Sequence, residues 1–136
     1  MSDDTKPEGR PEDPIEQWFW LSDDDMKCAR DALAAGNLMD VFVHCQQALE
    51  KRLKGMYARA TGNIPPYTHA LMPLAKLCGL EPSPAQEKLM VALSTLYTEV
   101  RYPLPLAPED QSPKAAAEAL ESTEEMVLWL DQRPTS

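Results

Sequence analysis

LMDVFVHCQQALEKRLKGMYARATG, residues 38–62, reads as one long amphipathic helix. Leu38, Phe42, Cys45, Leu49, Leu53, Met56 and Ala60 recur at steps of four and three. That spacing stacks side chains on one face of a 3.6-residue helix. Gly62 ends the run, because glycine accepts the left-handed turn that closes a helix. A strand reading fails on composition. Valine and isoleucine total seven in the whole chain, and no period-2 alternation persists.

Working outward, the thirteen prolines punctuate further helices. Asp13-Pro14-Ile15-Glu16 predicts a helix start, with Asp13 as cap, Pro14 as first residue and Glu16 closing a capping box. This helix should end at Gly36-Asn37. Thr68 can cap a short helix ending at Gly79, although Pro73 near its fifth position removes a backbone donor and implies a late start or a bend. Ser83-Pro84-Ala85-Gln86 opens a fourth helix with Leu89, Leu93, Leu96 and Val100 on one face. Ser112-Pro113 opens a fifth with Ala116, Leu120, Thr123, Val127 and Leu130. The expected fold is all-α, an up-and-down four-helix bundle with one additional short helix. It covers residues 13–132, after a disordered acidic tail over 1–12, and the last three or four residues form a second tail.

The 136 residues make one domain, large enough to hold a core without disulfides or metal. The net charge of −9 argues against a protein that coats nucleic acid by neutralising phosphates. No apolar run approaches the roughly 20 residues that span a bilayer. The N-terminus MSDDTKPEGRPEDP lacks a signal peptide's cationic and apolar regions. Cys28, Cys45 and Cys78 sit singly without metal-ligand spacing, as core-filling thiols of a cytoplasmic protein do. No metal site and no cofactor are expected.

Charge is uneven. Residues 41–80 carry five basic groups and one acidic, a basic island on an acidic chain. Within it His44, Gln47, Lys51 and Lys54 step 3-4-3 beside the apolar stripe. Such a row could bind a nucleotide phosphate, meet a second subunit or simply be wet. Glu50 lies four residues before Lys54, a favourable helical pair. On the first helix Asp25 interrupts the stripe of Trp18, Leu21, Cys28 and Ala32. A buried carboxylate needs a partner, and Arg52, Arg101 or helix N-terminal amides are the candidates; alternatively Asp25 sits at the stripe's edge and reaches water. His69 is placed to stabilise the turn after NIPPYT. Arg101 ends the fourth helix ahead of Tyr102-Pro103, where a cation suits the helix dipole. Trp18, Phe19, Trp20 and Trp129 are hard to bury together in one small bundle, an apolar surplus that a second subunit could cover.

The stretch HCQQALEKRLKGMYARATGNIPPYTHALMPL, followed by RYP at 101–103, resembles the HEPN family, the higher-eukaryote and prokaryote nucleotide-binding domain. WFWLSDDDMKCARDALAAGN fits the same pattern, and the resemblance covers residues 14–131. It implies a helical bundle that forms a homodimer and partners a minimal nucleotidyltransferase from a neighbouring gene, often as a toxin–antitoxin pair. It implies His44, Gln47, Lys51, Lys54, Arg101 and Tyr102 as the residues to consider for a nucleotide or its phosphate. Many relatives resemble metal-independent RNases that use an Arg-x4–6-His motif. Here Arg101 fits the arginine, but Leu106, Ala107 and Pro108 occupy the histidine positions. The expectation is therefore a binding subunit rather than an enzyme. The alternatives are an RNase whose catalytic histidine is displaced, with Arg101 as its catalytic arginine, and a purely structural dimer.

Overall fold

The computed structural model describes residues 9–101 and 112–133, and 97–101 by backbone alone. Its helices are α1 (Pro14–Ala35), α2 (Leu38–Thr61), α3 (Leu71–Leu77), α4 (Pro84–Arg101) and α5 (Pro113–Asp131). Among the described residues every regular element is a helix, and none is long and apolar enough to cross a membrane. Residues 1–8 of the tail expected over 1–12, residues 134–136, the Tyr102–Pro103 break and the Arg101 side chain lie outside the described residues.

Local chemistry sets the boundaries. Asp13 accepts from the Ile15 amide at 2.9 Å and Pro14 opens α1. Glu16 does not close the expected capping box and pairs instead with Arg59 across the α1–α2 seam. Gly36, at φ 77°, caps α1 and turns the chain into α2 within two residues; a β-carbon there would be strained. Ser83 and Gln86 do form a reciprocal capping box, at 2.9 and 3.1 Å. The Ser112 hydroxyl accepts from the Ala115 amide at 3.1 Å.

The third helix takes the late start that Pro73 implied. It starts at Leu71 and not beside Thr68, whose hydroxyl accepts from the Ala70 amide at 3.2 Å. The late start puts Pro73 in the first turn, where a helix needs no amide donor.

α2 is the hub. It packs against α1, α3, α4 and α5, while α1 and α4 each also touch α5. Pairings 16–59, 22–52 and 25–44 show α1 and α2 running antiparallel. Phe42, Cys45, Leu49, Leu53 and Met56 are buried as the stripe predicts, joined by Val41 and Ala48. Ala60 is exposed at the helix end. Ala116, Leu120, Thr123, Val127 and Leu130 of α5 and Leu93 of α4 close the other side, with Met90 and Met126 filling between them.

Gly55 lets α1 approach α2. A β-carbon there would stand 2.8 Å from Phe19 Cε2 and 2.9 Å from Trp18 Cβ. The aromatics expected to exceed the core are half-buried, and each lies near a cation of the same chain. Arg59 stacks 4.2 Å from the Phe19 ring, Arg133 lies 4.9 Å from Trp129, Arg10 5.7 Å from Trp20 and Lys54 5.9 Å from Trp18. Cation–π attraction offsets their incomplete burial.

Cys45 is fully buried, and burial pushes its thiol up to about 11 from 9.0. The folded chain therefore keeps this proton through a range in which the unfolded chain loses it, and stability falls as pH rises. Between about pH 8.5 and about pH 11 this amounts to about 2 kcal/mol. Chemical denaturation at both pH values should show the stability gap between wild type and Cys45→Ala narrowing by that amount.

Candidate functional site

The polar residues of α2 gather around two buried carboxylates. Asp25, 5% exposed, comes from α1. Its Oδ1 accepts from His44 Nδ1 at 3.0 Å and its Oδ2 from Lys51 Nζ at 2.6 Å. The sequence reading offered Arg52, Arg101, helix amides or water as Asp25's partner; the structure corrects this to His44 and Lys51. The reason is helical phase. Lys51 and His44 lie seven residues apart, two turns along one face, whereas Arg52 is rotated about 100° away.

Arg52 serves a different seam. It donates from Nε to Asp131 at 2.8 Å and from Nη1 to Asp23 at 2.9 Å and to Ser22 Oγ at 2.8 Å. It thus ties α1, α2 and α5 together. Burial works against its charge, but the bonds and attraction from Asp131 and Asp23 outweigh that and hold its pKa above the ordinary value.

The second centre is Glu50. Its Oε1 accepts from Gln46 Nε2 at 3.0 Å and from His69 Nδ1 at 2.9 Å, and its Oε2 from Lys54 Nζ at 3.1 Å. Gln46 also donates to the His69 carbonyl at 2.8 Å. Two acceptors fix that amide's orientation, leaving the buried Gln46 Oε1 without a hydrogen-bond partner. His69 thus anchors the loop after NIPPYT to α2, and the exposed Tyr67 rests edge-on against its ring at 5.5 Å.

Each expected site residue can now be placed. His44 and Lys51 share Asp25 and keep 30% and 25% of their side chains exposed. Gln47 is half-buried on the same face. Lys54 keeps 8% and acts as an internal strut against Glu50. His69 keeps 34%. Arg101 is seen only as the last backbone unit of α4, and Tyr102 lies outside the described residues. Glu50 and Gln46 are the residues that sequence reasoning did not count into the site. Their signal was the i, i+4, i+8 run Gln46–Glu50–Lys54.

Electrostatically this face is not an open cationic strip, since each lysine is matched by a carboxylate. An ionised carboxylate only accepts, so both histidines carry their proton on Nδ1. Imidazoles held this way are oriented for hydrogen bonding or proton transfer. Lys51, His44 and Gln47 are the accessible side chains around Asp25, and His69 is the accessible one around Glu50.

The profile of the HEPN domain matches residues 15–133. The chain belongs to the HEPN family. Among solved structures, this HEPN chain is similar to TT1696 from Thermus thermophilus, with a TM-score of 0.71, 22% identity, and coverage of 87% of this chain and 96% of that one. It is also similar to ST0689, described as an archaeal HEPN homologue, with a TM-score of 0.66, 23% identity, and coverage of 88% and 96%. At these identities the likeness is one of fold. No curated protein matches the chain.

Proposed function

We propose that this HEPN chain is a helical binding subunit, working as a homodimer, that partners a minimal nucleotidyltransferase from a neighbouring gene in a toxin–antitoxin-type pair and holds a nucleotide at the α1–α2 seam. The Asp25–His44–Lys51 arrangement carries the reading. Apolar side chains would hold a helix seam as well as a buried ion pair does. Here the seam instead carries a carboxylate that orients two half-exposed donors. Lys51 can share its protons with a phosphate, while His44 and Gln47 offer hydrogen bonds to hydroxyls or a base. Such a local site is compatible with the acidic surface, which would repel a long nucleic acid.

Co-expression with the adjacent gene's product and purification through a tag on one chain tests the pairing. Co-elution supports it, and an adjacent product that is not a nucleotidyltransferase, or that does not co-elute, removes it. Calorimetric titration with ATP and GTP tests the site. Gln47→Glu sets a negative charge one turn from Lys51 and breaks none of the described hydrogen bonds. It should weaken nucleotide binding about tenfold, equivalent to about 1.4 kcal/mol, with unfolding unchanged. Equal affinity in the variant would move the site elsewhere.

A second reading, a metal-independent RNase with a displaced histidine, is favoured by one observation: both histidines have their Nδ1 fixed by a buried carboxylate. The other ring nitrogen of His44 could then serve acid–base chemistry on an RNA 2′-hydroxyl. Labelled RNA is incubated with the protein in EDTA beside His44→Ala, His69→Ala and Arg101→Ala. Cleavage lost in a histidine variant supports this reading, and no cleavage by the parent protein ends it.

A further inference from the structure

Both buried carboxylates hold a histidine on one oxygen and a lysine on the other, but they differ in what reaches water. At Glu50 the lysine is the buried Lys54, which keeps its charge from a ligand on His69. At Asp25 both the His44 ring and the Lys51 side chain are partly exposed. His44 Nδ1 is committed to Asp25 Oδ1. Its Nε2 has no hydrogen-bond partner among the described residues and is not sealed from solvent. With the proton fixed on Nδ1, Nε2 carries the free lone pair of a neutral imidazole. Asp25 also favours the positive charge that the ring gains when Nε2 forms a bond, as the buried carboxylate of a hydrolase triad does. A nucleophile, the group that orients it and a solvent-facing cation are thus assembled on one carboxylate.

We propose that His44 Nε2 accepts a phosphoryl group from a small activated donor, an acyl phosphate or a phosphoramidate. The Nε2 lone pair forms the N–P bond while the P–O or P–N bond to the leaving group breaks. The carboxylate or amine departs with that electron pair. Nδ1 keeps its proton, shared with Asp25, so no base has to remove it. Lys51 is tied to the same carboxylate as the ring and supplies positive charge beside the resulting dianion. Asp24, and Asp40 one turn before His44, are carboxylates that oppose a dianion, but both are exposed, where water and salt screen them most. The site is that of the nucleotide proposed above, yet a donor without base or sugar tests it, so either reading can fail alone.

The test incubates the full chain with phosphoramidate at neutral pH. Intact mass and peptide mapping in alkali follow the phosphoryl group, which is acid-labile and base-stable on imidazole. One group per chain should appear on His44, about tenfold faster than on N-acetylhistidine. Phosphorus NMR should show the Nε2 isomer alone, because Asp25 blocks Nδ1. His44→Gln, whose amide can still donate to Asp25, should lose the label, and His69→Gln should keep it. Lys51→Met should slow labelling about tenfold. Label chiefly on His69, an Nδ1 adduct, a rate no faster than that of N-acetylhistidine, or an unchanged rate in Lys51→Met would overturn the proposal. Urea unfolding of each variant checks that the fold is retained. The rate and the isomer are read on the unaltered chain, so a variant that fails to fold leaves the test standing.

Discussion

Glu50→Ala is expected to cost about 3–5 kcal/mol, the usual penalty for removing one partner of a buried ion pair. The carboxylate holds Lys54, Gln46 and His69 at once. Without it the Lys54 ammonium is left in a pocket that exposes 8% of its side chain. Set against a total stability of about 5–15 kcal/mol, this is a large fraction. A urea midpoint lowered by about 2 M, at a slope near 2 kcal/mol/M, would register it. The stranded charge makes the effect non-additive. Adding Lys54→Met to Glu50→Ala should recover part of the loss, since an apolar residue tolerates that pocket better than an unpaired cation. A double variant less stable than Glu50→Ala would show that the lysine does not depend on Glu50.

Gly55→Val should rank next, at about 2–4 kcal/mol. The first added carbon already meets Phe19 and Trp18 inside 3 Å, and valine adds two more. The Phe19 ring can rotate, but the Trp18 β-carbon moves only with the α1 backbone. The helices must therefore separate, and Phe19 must leave its place under Arg59. Gly55→Ala sets overpacking of about 1–3 kcal/mol against a helix-propensity gain of about 1 kcal/mol, so its loss should be much smaller. Thermal unfolding of the pair checks the order. A Gly55→Val chain as stable as wild type would mean that α1 and α2 do not depend on this close approach.

The fold was legible because its signals are local. The stripe on residues 38–60 identified α2, and Asp13-Pro14, Ser83-Gln86 and Ser112-Pro113 marked helix starts through hydrogen bonds within one turn. Of the two starts left open for the third helix, Pro73 indicated the later one that is observed, while the Thr68 hydroxyl satisfies a turn amide without opening a helix. The site was less legible because its pairings cross between elements. Asp25 visibly needed a partner, but choosing Lys51 over Arg52 requires the rotation of α2 against α1. Gly55 carried an unread signal. A glycine inside an uninterrupted helix weakens it, and close packing of a neighbour is a common reason to keep one.

The cations beside the three indole rings also have an optical consequence. An excited indole has a larger dipole than its ground state, so a fixed charge nearby displaces its emission. Trp18 lies 5.9 Å from the Lys54 ammonium, which is bonded in turn to Glu50. With Trp20 and Trp129 replaced by phenylalanine, the remaining fluorescence would report on the interior of the α1–α2 seam without any label.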